Sequence, residues 1–192
     1  MGPSGEWKWG VALEGTDSDV LLNGVAVDET HAYVAGSFHT EVRYSRLKPS
    51  LGPDDPVDGD EERTPVIDSY SAAALSTVFP EYTSGLVVKI GLADGLCAGA
   101  LQAAATPGSF ALMQTRFHDI ALHQDAFVVC GDVDLGLGTS SWVSICGNVS
   151  VNNVVDGFLV AKCGKALTNC PWIVYADDKG CGPGGDGNKT QS

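Results

Sequence analysis

The chain lacks the features that mark several protein classes. Its 192 residues contain no run of about 18 apolar residues, so the sequence predicts no membrane-spanning helix. The first ten residues, MGPSGEWKWG, have neither the basic start nor the apolar stretch of a secretory signal peptide. Basic residues are scarce, since 11 Lys and Arg stand against 24 Asp and Glu and give a formal net charge of −13. Phosphate binding needs clustered basic side chains, so we predict no nucleic-acid partner.

Motifs for catalysis and metal binding are also missing. The chain has no G-x-S-x-G, H-E-x-x-H or phosphate-loop motif, and its histidines, at positions 31, 39, 118 and 123, lack metal-ligand spacing. The acidic run at 54–62 lacks the alternating ligands and closing Glu of a calcium loop, so we predict a solvated loop there. One formal G-x-G-x-x-G, at 182–187, has too few residues after it for the helix of a dinucleotide site. We therefore predict no catalytic residue, no cofactor and no metal.

The composition is that of a folded protein rich in turns. Apolar residues make up 44% of the chain and charged residues 18%, a balance that supports a packed core. The 24 glycines and 9 prolines indicate many turns. The length suits one domain or two small ones.

The sequence repeats itself at an offset of 95 residues. Residues 22–38 (LNGVAVDETHAYVAGSF) align without a gap with residues 117–133 (FHDIALHQDAFVVCGDV). Each copy reads as an apolar strand, a polar turn at 28–31 or 123–126, and a second strand that carries an aromatic residue, valine and then glycine. Such residues suit a pleated surface, so we predict β-hairpins at about 21–38 and 117–133.

Two further elements recur around these hairpins. SGLVVKI at 84–90 resembles DGFLVAK at 156–162, and a short apolar strand occurs three times, at 9–13, 97–101 and 172–176. In the first of these strands Trp7, Trp9, Val11 and Leu13 alternate with other residues and should share one face. Four short antiparallel strands per repeat are typical of a propeller blade.

These elements predict an all-β fold, an incomplete β-propeller of two four-stranded antiparallel blades plus the first strand of a third. The first blade spans 7–95 with a long acidic insertion at 39–83, the second spans 96–170, and residues 171–176 open the third. A flexible tail is expected at 177–192.

The two connections carry predictions of their own. Within the first, the proline-rich segment 50–65 is predicted to be mobile, and only residues 69–79 have a composition that suits a turn or two of helix. Within the second, at 134–155, residues 141–146 (SWVSIC) predict an added strand.

The motif order W-x-x-x-x-G, G-V-A-V-D, A-Y-V-A-G-S-F and S-G-L-V-V-K-I resembles the seven-bladed β-propeller repeat (SBBP) of bacterial and some algal surface proteins. Trp9 and residues 24–28, 33–36 and 85–90 carry it in the first unit, and residues 120–122, 127–131 and 156–162 in the second. Cys97 stands where the family has tryptophan, and the acidic insertion exceeds the family's usual length. The resemblance implies a non-catalytic binding or structural scaffold, secreted or on the cell surface.

Propellers close with about four to eight blades, so two blades imply the remaining blades of a longer chain; self-assembly of several copies is the alternative. The ligand would be a protein or a carbohydrate. Two other functions stay open. One is part of a propeller hydrolase or lyase whose active site draws on further blades, and the other is a truncated gene product.

The cysteines indicate an oxidising compartment. Six occur, at 97, 130, 146, 163, 170 and 181, and none forms the C-x-x-C of a zinc site. Cys163 and Cys170 bracket a short loop between adjacent strands and are predicted to form a disulfide; six reduced core cysteines are the alternative. Asn148 and Asn188 begin N-glycosylation sequons, which add to the extracellular interpretation.

Overall fold

The computed structural model describes residues 8–15, 19–48, 66–76, 83–106, 114–134, 141–145, 149–154, 157–177 and 189–191. Within these ranges the fold is all-β, as predicted, with fourteen strands and no helix; no described segment is therefore a helix that could cross a membrane. Strands β1–β7 are Gly10–Gly15, Val20–Val27, His31–His39, Glu41–Lys48, Val66–Ser76, Thr83–Gly91 and Cys97–Thr106. Strands β8–β14 are Gln114–His123, Ala126–Asp134, Ser141–Ile145, Val149–Val154, Gly157–Gly164, Trp172–Asp177 and Lys189–Gln191.

Two four-stranded meanders form the centre of the fold. In the first meander, β2, β3, β6 and β7 lie side by side in that order, and each neighbouring pair is antiparallel. In the second meander, β8, β9, β12 and β13 repeat the arrangement. A parallel bridge between Thr83 and Gln114 joins β6 to β8. The repeat seen in the sequence is thus a repeat of structure.

Both predicted hairpins are confirmed as β2–β3 and β8–β9. In the first turn, Oδ1 of Asp28 accepts hydrogen bonds from the backbone N–H groups of Thr30 (2.9 Å) and His31 (2.8 Å). An aspartate that binds the backbone ahead of it in this way stabilises a turn. In the second turn, Gln124 adopts a φ of 54°.

Close contact between backbones explains the glycine in the second strand of each hairpin, Gly36 in β3 and Gly131 in β9. Opposite a register shift in β2, a Cβ added to Gly36 would overlap the carbonyl oxygen of Leu21. Opposite the corresponding shift in β8, a Cβ on Gly131 would overlap the carbonyl oxygen of Arg116. Only glycine allows the two backbones to approach so closely.

Each meander has a hairpin inserted between its second and third strands. The first insertion is β4–β5, and the second is β10–β11. The strand expected at 141–146 is confirmed as Ser141–Ile145. The helical turns expected at 69–79 are wrong for residues 69–76, which belong to β5 and pair with β4. Pairing with a neighbouring strand overrides the weak helix preference of a short run rich in alanine and serine.

Two of the three recurring apolar strands, β7 and β13, end their units instead of opening them, whereas the first, β1, pairs with β4. β7 pairs with β6, and β13 pairs with β12, so each joins the strand that precedes it. The hydrogen-bonded units therefore lie one strand out of phase with the predicted blades, because sequence proximity alone does not choose between two neighbouring partners. On its other side β13 pairs with β14 (Lys189–Gln191). Most of the tail expected to be flexible, at 177–192, lies outside the described residues, and its flexibility remains a prediction.

The larger hydrophobic cluster fills the space between the two meanders. Tyr33 and Phe127 meet there with ring centroids 5.9 Å apart, and the side-chain amide of Asn23 donates a hydrogen bond to the carbonyl oxygen of Phe117 (2.8 Å). Fully or almost fully buried members include Tyr33, Ala35, Val87, Leu101, Phe117, Ile120, Phe127, Val129, Leu159 and Ile173. The meanders therefore pack face to face through apolar side chains.

A second cluster lies on the other face of the first meander. There Leu86 and Val88 pack against the separate sheet β1–β4–β5, which contributes Tyr44 to the cluster. The prediction that the side chains of the tryptophan strand share one face is confirmed for Trp9, Val11 and Leu13, which all pack against this cluster; Trp7 lies outside the described residues.

Several predictions fall on parts of the chain that the structure does not describe. They concern the mobile segment 50–65 with its acidic run at 54–62, the glycine-rich stretch at 182–187, and the sequons at Asn148 and Asn188. Cys146 and Cys181 also lie outside the described residues. All of these remain predictions.

Candidate functional site

A polar cleft opens where the two meanders meet. It lies at the starts of β2, β6 and β8 and the end of β3, and it has a volume of about 510 Å³, within the range of small-molecule sites. The cleft is lined by Asp19, Leu21, Ser37, His39, Thr83, Gln114 and Arg116.

Strand pairing brings these residues together. The parallel bridge between Thr83 and Gln114 sets the first residues of β6 and β8 side by side. The backbone N–H of His39 donates a hydrogen bond to the carbonyl oxygen of Asp19 (3.2 Å), which joins the end of β3 to the residue before β2. The cleft is thus lined by residues at the ends of strands. Binding residues are often found there, in or beside the loops that a rigid scaffold positions.

One wall of the cleft carries a charged group held by its neighbours. Arg116 and Asp132 are paired residues in the β8–β9 ladder, and the Nη1 atom of Arg116 lies 3.4 Å from Oδ2 of Asp132. The other oxygen of Asp132 contacts Nε2 of His118. These side chains are a third to a half exposed, so each of the two contacts adds at most about 1 kcal/mol to stability. Their effect is to restrict where the Arg116 guanidinium lies.

The other notable group in the cleft is the side chain of Gln114. Its amide oxygen, Oε1, is buried and accepts no hydrogen bond from any residue that the structure describes. A buried acceptor without a donor costs about 1–3 kcal/mol. A turn of the amide toward the cleft would expose this oxygen to a donor group and recover that free energy.

A second polar cluster joins the meanders at the far end of β2. Nζ of Lys165, which follows β12, lies 3.0 Å from Oδ2 of Asp28, and the hydroxyl of Tyr33 donates to the same oxygen (3.4 Å). Nζ of Lys89 donates in turn to the carbonyl oxygen of Lys165 (3.1 Å). Burial, together with the nearby Asp28 carboxylate, raises the pKa of Tyr33 to about 12. The cluster ties the first hairpin to the loop that follows β12.

Asp28 makes this connection sensitive to acid. Hydrogen bonds from the backbone N–H of Thr30, from Lys165 and from the backbone N–H of His31 hold the pKa of Asp28 well below its ordinary value. A depressed pKa contributes stability that is present above the unfolded value of about 3.9 and is lost as the pH falls toward the folded value. Asp28→Asn should therefore flatten the fall in melting temperature between about pH 5 and pH 2.

This slope is measured by thermal unfolding followed by circular dichroism across that pH range. Glu29→Gln is the matched control, because Glu29 is the exposed neighbour of Asp28 and makes no contact with Lys165. The control should retain the slope of the unmodified chain. An Asp28→Asn variant that keeps the same slope would show that this carboxylate does not govern acid unfolding.

The predicted disulfide is present. Cys163 and Cys170 are bonded to each other, and both are almost completely buried. The alternative of reduced cysteines applies to Cys97 and Cys130, which are free and partly buried.

The structure places the histidines in different settings. His31 lies in the first turn and contacts Thr30, His39 borders the cleft, and His118 contacts Asp132. Across the described ranges no group of three or more His, Cys, Asp or Glu side chains could hold a metal ion.

Sequence reasoning missed most of the cleft. Asp19, Thr83, Gln114 and Arg116 belong to no motif, so nothing local marked them. One signal was available in the repeat itself, because the offset of 95 aligns Arg116 with Leu21. A charged residue in one repeat at a position that is apolar in the other repeat indicates a role other than packing in the core.

Comparisons with family models, curated proteins and solved structures find no match to this chain. The resemblance to the seven-bladed propeller repeat therefore rests on the sequence motifs alone.

Proposed function

We propose that the chain is a non-catalytic β-propeller repeat segment that acts as a binding and structural scaffold in a secreted or cell-surface protein. Each meander would be one blade, since four antiparallel strands in sequential order are the blade architecture. The disulfide between Cys163 and Cys170 supports an oxidising location.

The observation that carries the proposal is a difference in burial between equivalent positions. Phe117 and Ile120 of β8 are 0% and 5% exposed, because they pack against the first meander. Their equivalents at the offset of 95, Leu22 and Val25 of β2, are 52% and 63% exposed. Val27, two residues further along β2, is also exposed.

These three side chains form one strip. Their ladder partners in β3 are Gly36, Val34 and Ala32, which alternate along that strand and so share a face of the sheet. We call Leu22, Val25 and Val27 the β2 strip. On the second meander the equivalent positions are covered by the first meander. The exposure of the β2 strip therefore supports a further unit that packs against it.

The pairing of β1 also supports a further unit beside the β2 strip. β1 pairs with β4 as β7 pairs with β10, antiparallel in both cases. The second strand of each inserted hairpin lies against the outer strand of its own meander, β5 against β7 and β11 against β13. By this correspondence β1 is the outer strand of a preceding blade, and the other three strands of that blade would cover the β2 strip.

We expect the 192-residue chain to self-associate through the β2 strip. An exposed apolar surface of this kind is normally covered by a neighbouring unit or a partner. Size-exclusion chromatography with light scattering, from about 10 to 200 µM, should give masses above 19.9 kDa that rise with concentration.

The double variant Leu22→Lys/Val25→Lys should return the chain to a monomer. Leu96→Lys is the matched control, because Leu96 is similarly exposed but lies in the turn between β6 and β7; it should associate like the unmodified chain. A clean, thermally cooperative monomer formed by the unmodified chain would show that the strip needs no cover and that the propeller proposal is mistaken.

A further inference from the structure

We infer that the cleft between the meanders binds a saccharide, a neutral ligand with several hydroxyl groups. The inference rests on the proposed scaffold function and adds a site and a ligand class to it. It depends on the lining of the cleft, on its charge and on one buried acceptor.

The lining offers donors and acceptors side by side. Asp19 presents acceptor oxygens, Arg116 presents N–H donors, and the hydroxyl of Thr83 can do either. A sugar hydroxyl both donates and accepts, so adjacent hydroxyls on one ring can satisfy such a mixed set. A ligand with donors only, or acceptors only, would leave part of the lining unpaired.

The charges in and beside the cleft disfavour an anionic ligand. Asp19 contributes one negative charge, and the positive charge of Arg116 is offset by Asp132 beside it, so an anionic ligand finds no excess positive charge in the cleft. The whole chain carries a formal charge of −13, which further disfavours anionic ligands. A neutral ligand suits the site best.

The buried oxygen of Gln114 adds selectivity. This oxygen has no donor among the described residues and is closed to solvent, so a ligand hydroxyl gains the hydrogen bond when the Gln114 amide turns toward the cleft. Sites with buried polar groups discriminate strongly against analogues that lack the matching group. Leu21, which is about half exposed, supplies an apolar wall for the C–H surface of a sugar ring.

Isothermal titration calorimetry on the oxidised 192-residue chain tests the site. The probes are maltotriose, cellotriose, mannotriose and chitotriose, with trigalacturonate as the anionic comparison. We expect at least one neutral trisaccharide to bind with a Kd of roughly 10⁻⁵ to 10⁻³ M, and trigalacturonate to bind at least about tenfold more weakly.

Gln114→Leu and Arg116→Met should each weaken that binding about tenfold or more, since each removes a hydrogen-bonding group from the cleft. Arg43→Met is the matched control, because Arg43 lies on β4 away from the cleft and pairs with Glu41; it should leave the Kd unchanged. Circular dichroism confirms that each variant is folded, and Thr83→Val replaces Gln114→Leu if the latter is not.

Three results would overturn the inference: none of the neutral trisaccharides binds, trigalacturonate binds more tightly than all of them, or binding persists unchanged in the cleft variants. The self-association experiment involves no saccharide. Failure of the scaffold proposal and failure of the binding site can therefore be told apart.

Discussion

Phe117→Ala is expected to lower the free energy of unfolding by about 3–5 kcal/mol. Leu22→Ala, the same kind of truncation at the equivalent position of the other repeat, should change it by less than about 0.5 kcal/mol. Phe117 is fully buried between the meanders, and a Cβ added to Gly85 of the first meander would lie only 3.0 Å from its ring. Leu22 is 52% exposed. The two substitutions therefore compare the covered and uncovered forms of one repeat position.

Urea unfolding followed by circular dichroism measures both values, at low micromolar concentration so that self-association does not add to stability. On the Gly85 side no side chain is present to move into the cavity that the loss of the Phe117 ring would leave. If both variants lost the same free energy, the first meander would not be packing on β8 in solution, and the arrangement of the two meanders would be wrong.

The hairpins could be predicted from the sequence because their signals are local. Alternating apolar residues and a polar turn fix two strands within about twenty residues, and the glycines at 36 and 131 mark the close approach of the two backbones. The disulfide was predictable for the same reason, since Cys163 and Cys170 are only seven residues apart.

The partners of the remaining strands could not be predicted, because their pairing is not local. The strand at 97–106 stands between β6 and β8 in the chain, and its own composition fits either neighbour. The structure pairs it with β6 and, on its other edge, with β10, a strand that the second repeat inserts. Residues 69–76 likewise became a strand only because β4 lies beside them.

The cleft escaped prediction for a related reason. Asp19, Thr83 and Gln114 come from distant parts of the chain and meet only after both meanders have formed and packed. Residues that line a polar cleft need no fixed spacing in the sequence. Metal ligands and phosphate-binding loops do have such a spacing, which makes them recognisable. The contact between Asp28 and Lys165 could not be predicted from the repeat either, because the second repeat has His123 in place of Asp28.

Removing the disulfide by Cys163→Ala/Cys170→Ala is expected to lower the free energy of unfolding by about 2–3 kcal/mol. In the chain-entropy description, a bond that closes a loop of about eight residues restricts the unfolded state by roughly this amount. Cys130→Ala is the control, because Cys130 is free and only partly buried; its effect should stay below about 1 kcal/mol. Urea unfolding with and without dithiothreitol measures both, and the reductant should change only the unmodified chain and the control.

The disulfide should also affect the acid response, because the loop it closes holds Lys165. The backbone N–H of Lys165 donates to the carbonyl oxygen of Asp125 (3.0 Å), and the N–H of Gly164 donates to that of Asn169 (2.9 Å), so the closed loop sets the position of the ammonium group that contacts Asp28. Without the bond this contact loses its support. The double variant should therefore show a shallower fall in melting temperature below about pH 5, in the direction of Asp28→Asn. A double variant that is less stable but keeps the full slope would show that Lys165 reaches Asp28 without the disulfide.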